Sequence, residues 1–334
     1  MRIYVRPQMA ILPLVAALFI AAVSLPAAAE GRVLKKASLI LPWSPQAQFA
    51  GYYTALDKGI YRKHGIDLTI IAGGPGRSAE AYLKSGKADF AVLWLTAAIQ
   101  ERASGIKLIN LAQIVRNSSM MLIARKSSGI RTPEDMQGKK VGVWPGALAI
   151  PARAFFKKYG VQVRQVPQSY TVNLFLRGGV DVTSAMLYNE YHTILNAGLD
   201  PGDLTIFMFK DLGLNLPEDG LYALEKTVRK DPELAAGFVQ ASLEGWSYAF
   251  AHPDEALDIV IKYMRKARVP ASRTHQKWML EQMRGLILTP GNKEPSGRLD
   301  RKDYETAEQI MFKDRMIRKP VGFNEFTGKP DARR

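Results

Sequence analysis

The sequence predicts an α/β protein of two lobes with a helical C-terminal extension. Three observations carry this reading. Short apolar strands alternate with helical patterns between residues 33 and 186, as in a mainly parallel sheet with helices on both faces. The alternation runs through two cycles, the second starting near Met120. From Asp231 onward the patterning is mostly helical, which sends the chain back to brace the first lobe.

In the first cycle, residues 33–41 read as a strand and 47–58 as a helix ending near Gly59. A strand at 67–71 runs into the tight turn Gly73-Gly74-Pro75-Gly76. A short helix over 78–84 is closed by Gly86, and a strand follows at 89–93. The next helix spans 96–104, with Thr96 as its N-cap. The second cycle has strands at 121–125, 140–144, 161–166 and 180–186, and helices at 149–159 and 173–177. Thr132-Pro133-Glu134-Asp135 is a helix start, with a hydroxyl cap, proline and acids in the first turn. The cycles echo each other: Leu83…Gly86-Lys87-Ala88-Asp89 resembles Leu176…Gly179-Val180-Asp181. Helices at 232–251, 253–268, 272–286 and 303–314 follow, and residues 299–334, poor in apolar side chains, read as partly extended over the surface.

The N-terminus carries Arg2 and Arg6, an apolar run from Met9 to Leu25, then Pro26 and Ala27-Ala28-Ala29. That is the order of a secretory signal, cleaved after Ala29; the alternative is an uncleaved anchor. The chain has no cysteine, which excludes disulfides, thiolate metal sites, a cysteine nucleophile and a lipid-modified cysteine. Its net charge of +15 makes nucleic acid a formal candidate. The leader and the dispersed basic residues argue against it, and favour attraction to anionic lipid or cell-wall polymers.

Catalytic signatures are missing. His64, His192, His252 and His275 show no metal-ligand spacing, and neither a Gly-x-Ser-x-Gly elbow nor a phosphate loop occurs. No metal, cofactor or catalytic residue is expected. The glycine turn at 73–76 either offers backbone N–H groups to a ligand or is an ordinary connection. Binding residues are sought beyond the carboxyl ends of the parallel strands. There stand Trp43, Gln46, Gln48 and Phe49, then Trp94, Trp144, and Tyr188-Asn189-Glu190. Three of the five tryptophans fall at strand ends, where indole either stacks on a flat ligand or packs under a loop. Glu190 either accepts hydrogen bonds from a ligand's ring edge or complements a helix N-terminus. Arg116 keeps an oxyanion ligand open.

The stretch from Leu41-Pro42-Trp43-Ser44 to Gly51-Tyr52-Tyr53, with Lys58-Gly59-Ile60-Tyr61, Gly86-Lys87-Ala88-Asp89-Phe90, Lys139-Lys140-Val141-Gly142-Val143, Tyr188-Asn189-Glu190 and Pro217-Glu218-Asp219-Gly220, resembles the NMT1/THI5-like substrate-binding proteins. The resemblance implies a type II periplasmic-binding-protein fold, two α/β lobes joined by a hinge that closes on ligand. After the leader at 1–29 it places lobe one at 30–121 plus 212–315, lobe two at 122–211, and an extension at 316–334. It also implies a monomeric, periplasmic component of an ABC importer, with a permease and an ATPase as partners. In the thiamine-related branch a pyrimidine precursor is held by an aromatic face and a carboxylate, and Trp43 and Glu190 match those elements. Tyr53 matches the family's tyrosine, and Gln46 and Gln48 stand where that branch usually has asparagine. Riboflavin, sulfonate and nitrate are the alternative ligands. An enzymatic branch that makes the thiamine pyrimidine uses a histidine where this chain has Phe49, and a cysteine-rich motif that this chain lacks.

The leader reading has a direct check. Intact-mass measurement of the exported protein should find a chain beginning at Glu30, and a mature species still beginning at Met1 would contradict it.

Overall fold

The computed structural model describes residues 1–4, 33–74 and 76–328. The expected cleavage site at Ala29 and most of the leader lie outside the described residues. In the rest, the two cycles become two five-stranded sheets. The first holds β1 Lys35–Ile40, β2 Ile66–Ile71, β3 Phe90–Trp94 and β4 Leu108–Gln113. The second holds β5 Met120–Arg125, β6 Lys140–Val143, β7 Arg164–Pro167, β8 Val182–Met186 and β9 Leu204–Met208. The chain then returns to the first sheet as β10 Asp219–Leu224.

The strand orders are β2-β1-β3-β10-β4 and β7-β6-β8-β5-β9, so both sheets have one plan. The sequence echo has a physical counterpart in it. Asp89 accepts the backbone N–H and the hydroxyl of Ser38 in β1, at 2.9 and 2.7 Å. Asp181 accepts the N–H of Lys140 in β6 at 2.8 Å. Each carboxylate ties the start of one parallel strand to its neighbour.

The expectation of a mainly parallel sheet needs one correction. β10 runs antiparallel to both β3 and β4, and β5 antiparallel to both β8 and β9. Each reversed strand is the one that has just crossed from the other sheet, so it enters from the end where the parallel strands finish. The sequence reading passed over β4, β9 and β10, whose places depend on that crossing.

Local differences have local causes. The helix of 47–58 divides into a 3-10 turn at Ala47–Phe49 and a helix at Ala50–Asp57. Thr96 is not an N-cap: its helix starts at Leu95, and the Thr96 hydroxyl is buried without a partner. Ser78 does cap its helix, accepting the N–H of Ala81 at 3.1 Å. The start at Thr132 yields only a single 3-10 turn, Pro133–Met136. As far as residue 328 the tail is not draped over the surface. Tyr304, Ala307 and Met311 of the helix Arg301–Lys313 are buried with Ile317, Val321 and Phe326 against Tyr222 of β10. Most apolar side chains of the described segment face inward, with Phe312 the exposed exception, and a composition count cannot register that arrangement.

The helix Ala50–Asp57 packs on the helix Pro232–Ala251 through two glycines. A Cβ on Gly51 would lie 2.3 Å from the Trp246 ring, and one on Gly245 would lie 2.3 Å from the Gly51 carbonyl oxygen. Trp246 is fully buried, with the Tyr52 ring edge-on to it at 5.8 Å.

Residues 114–119 and 209–218 connect the sheets, and they run side by side. The Val115 and Glu218 backbones pair, with the Glu218 N–H donating to the Val115 carbonyl at 3.0 Å. The Gln113 amide donates to the carbonyls of Val115 and Glu218, each at 3.0 Å. The buried Glu218 carboxylate accepts the Ser119 N–H at 2.6 Å and the Ser119 hydroxyl at 2.9 Å. Burial, with the neighbouring Asp219 charge adding to it, pushes the Glu218 carboxyl from 4.5 up to about 8.

Two predictions follow from these contacts. Gly51→Ala should destabilise the protein by about 1–3 kcal/mol in urea unfolding, through overpacking against Trp246. For Glu218, a native pKa above the unfolded value means that stability is greatest in acid and falls as pH rises toward 8. Glu218→Gln should therefore remove on the order of 3 kcal/mol of the stability difference between about pH 5.5 and 8.5. An unchanged pH slope would show that Glu218 is not held protonated.

Candidate functional site

A cavity of about 880 Å³ lies between the two sheets, with the carboxyl ends of six parallel strands on its walls. From the first sheet come Pro42, Trp43, Gln46 and Gln48 after β1, Gly74, Gly76, Arg77 and Ser78 after β2, and Leu93, Trp94 and Ala97 around the end of β3. From the second come Trp144 and Pro145 after β6, Gln168, Ser169 and Tyr170 after β7, and Met186, Tyr188, Asn189 and Glu190 at the end of β8. Ligands of open α/β sheets bind beyond these strand ends because the loops there are free to vary over a rigid frame.

The walls are mostly apolar and aromatic. Trp43 is half-buried, and its ring centroid is 6.2 Å from that of the exposed Tyr170 across the cavity. Trp94 and Trp144 are buried. The Trp144 indole N–H donates to the Ser169 carbonyl at 3.1 Å, which fixes the ring against the β7 loop. The glycine turn has a definite job. A Cβ on Gly73 would lie 2.1 Å from the Leu41 carbonyl oxygen, and its N–H donates to the Trp43 carbonyl at 3.1 Å. The turn thus props the segment that carries Trp43.

Acceptors gather at the inner end. Glu190 opens the helix Glu190–Asn196 and is buried. Its Oε2 takes the Met186 N–H at 3.0 Å and its Oε1 takes the Asn189 amide at 2.7 Å. Burial outweighs these bonds and pushes its carboxyl from 4.5 up to about 7. Asp219 accepts the Gln48 amide at 2.9 Å, Gln48 in turn accepts the Gln46 amide at 2.6 Å, and the other Asp219 oxygen has no partner. Burial pushes Asp219 from 3.8 up to about 6. The Tyr188 phenol is held well above its usual value by burial and by the Glu218, Asp219 and Glu190 charges.

Of the residues singled out in the sequence, Trp43, Gln46, Gln48, Trp94, Trp144, Tyr188, Asn189 and Glu190 come together on this cavity. Three are placed elsewhere. Phe49 is wholly buried in the core, and Tyr53 stacks on Tyr263 at 4.6 Å. Arg116 donates its backbone N–H to Leu286 and is not on the cavity wall. Sequence reasoning missed Arg77, Gln168 and Tyr170. Arg77 follows the glycine turn directly, which was the available signal, and its guanidinium donates to the Ala72 carbonyl at 2.8 Å. Gln168 serves the frame: its buried amide bonds Thr183 and Ser184 of β8. Among the described residues no group of three or more histidine, aspartate or glutamate side chains could hold a metal ion.

The comparisons with known proteins agree with this architecture. The sequence model described as NMT1/THI5 like matches residues 46–256. The formylaminopyrimidine-binding protein of Halalkalibacterium halodurans is 23% identical over 311 residues, which cover 89% of this chain and 90% of that protein. The riboflavin-binding protein RibY of Chloroflexus aurantiacus is 24% identical, over 71% of this chain and 68% of that protein. Among solved structures, the periplasmic aliphatic sulphonate binding protein SsuA of Escherichia coli superposes with a TM-score of 0.68 at 14% identity, covering 89% of this chain and 92% of that one. That likeness establishes the fold.

Proposed function

The chain belongs to the NMT1/THI5-like family, and we propose that it is the extracytoplasmic solute-binding component of an ABC importer that captures a flat nitrogen heterocycle of the pyrimidine class. The observation that carries the reading is Glu190, a buried carboxylate at the inner end of a cavity walled by Trp43, Trp94 and Trp144. Indole faces take up a flat ring, and a carboxylate accepts the N–H donors on its edge. Two binding proteins similar to this chain in sequence are named for such heterocycles. In this reading the lobes close on the ligand, which stabilises the closed form because only that form buries the molecule on both sides. The monomer then delivers it to a permease driven by an ATPase. No described helix is long and apolar enough to cross a membrane, and the leader would place the mature chain in the periplasm.

The reading is of a carrier and not an enzyme. Phe49 is packed in the core where the synthase branch has its histidine, and the sequence has no cysteine. One observation favours riboflavin over a lone pyrimidine: about 880 Å³ is near the upper end of small-molecule sites. Sulfonate and nitrate fit the site less well. Among the described lining residues Arg77 is the one cation, and the carboxylates Glu80 and Glu190 line the same cavity.

Titration calorimetry with formylaminopyrimidine, riboflavin and an alkanesulfonate tests the assignment at once. Glu190→Gln should weaken heterocycle binding about tenfold or more, since a charge-assisted bond contributes roughly 1.5–3 kcal/mol. Trp43→Ala should remove about 0.5–1.5 kcal/mol beyond the lost burial. If Glu190 only complements its helix terminus, the same Glu190→Gln protein should lose some 0.3–1 kcal/mol of stability and keep its affinity. Binding of the sulfonate alone would overturn the heterocycle reading.

A further inference from the structure

The Glu190 carboxylate is linked to the first lobe through Asn189. Asn189 donates its amide nitrogen to Glu190 Oε1 at 2.7 Å. A carboxylate only accepts, so this bond fixes the orientation of the amide. The Asn189 Oδ1 is then left facing outward, 2.8 Å from Nε2 of His275. His275 stands on the helix Arg273–Ile287, which lies beyond the matched residues 46–256. That helix is fastened to the first lobe, where Gln276 accepts the N–H of Ala47 at 2.7 Å.

Proton logic fixes the rest of the chain. Because Asn189 Oδ1 accepts, His275 carries its proton on Nε2, and its Nδ1 is an acceptor. That Nδ1 lies 2.8 Å from Nδ1 of His192, so His192 is the donor between them. The Asn196 amide nitrogen is placed 3.2 Å from the same His192 nitrogen, and with His192 as donor the Asn196 amide is flipped so that its oxygen accepts there. The His192 ring stacks on Trp278 at 4.8 Å and 12°, which sets the plane of the donor. Burial holds both histidines below their usual 6.5, and for His275 the His192 ring adds to this. The neutral pair is therefore the form present at pH 7 and above.

We propose that His275 is a positioning residue for the ligand carboxylate: through Asn189 it sets the orientation of Glu190, and it does so only while the Arg273–Ile287 helix meets the β8 end of the second lobe. Ligand affinity and contact between the lobes are thereby coupled through one row of hydrogen bonds. The inference rests on Glu190 as a ligand group, and its test has an arm that needs no ligand.

Nitrogen NMR at pH 8 should find His275 protonated on Nε2 and bare on Nδ1. Carbon NMR of the Glu190 carboxyl should show its titration midpoint rising in His275→Ala, because the charged form loses an oriented donor. In His275→Gln, whose amide nitrogen replaces Nε2, the midpoint should stay close to the original. Formylaminopyrimidine binding should weaken roughly five- to tenfold in His275→Ala and be largely restored in His275→Gln. In the Glu190→Gln background, His275→Ala should cost less than about twofold, as expected for residues acting in one network. Additive losses in that cycle, an Nδ1-protonated His275, or an unmoved Glu190 midpoint would each overturn the proposal. If the wild-type protein binds neither formylaminopyrimidine nor riboflavin, the functional reading fails, and the two NMR measurements still decide the role of His275.

Discussion

Two connecting segments that share their hydrogen bonds between the sheets are the constraint on which the rest depends. Val115, Ser118 and Ser119 and the facing residues 216–218 are buried, and their polar groups pair with each other and with Gln113. Buried backbone groups without partners are costly, so the two segments hold together as a pair. Their crossing sends β5 and β10 into the sheets from the carboxyl ends of the parallel strands. The same crossing sets those strand ends face to face, and the cavity is the space between them.

The electrostatics of the site oppose those of the surface. The chain is strongly basic, with a net charge of +15. Many of its cations sit in exposed pairs such as Lys35 with Asp231 and Lys58 with Glu255, which contribute little each. Glu190 on the cavity wall, and Glu218 and Asp219 outside its lining, are buried near Tyr188, and all three carboxyls are pushed upward. Holding acids in this way costs stability, and such an arrangement is characteristic of sites shaped for a ligand. Of their oxygens, one of Asp219 has no hydrogen-bond partner.

Much of the site was legible because parallel strands have a direction. Trp43, Trp94, Trp144 and Glu190 follow strand ends, and strand ends face the cavity. Phe49 was drawn in by its nearness to Trp43 in the chain, and Tyr53 by the family resemblance. The 3-10 turn at Ala47–Phe49 and the helix after it rotate both side chains into the core. Tyr170 escaped because its strand was placed at 161–166 and it stands just beyond β7 at Arg164–Pro167. The role of Gly51 was hidden for another reason. Its partners Trp246 and Gly245 lie far along the chain, and no local pattern reports a close approach between distant helices.

The sequence by itself determined the α/β class, the two similar cycles, the helical return and the aromatic strand ends. Those features follow from hydrophobic period, turn residues and caps, which act over a few residues. Only the tertiary structure decided the two reversed strands, the inward packing of residues 301–326, and the row of side chains from Glu190 through Asn189 to His275 and His192. In that row the protons have places only because a helix after residue 272 meets a strand end before residue 190. A hydrogen bond needs its donor within about 3 Å of its acceptor, and for residues so far apart in the chain only the fold sets that distance.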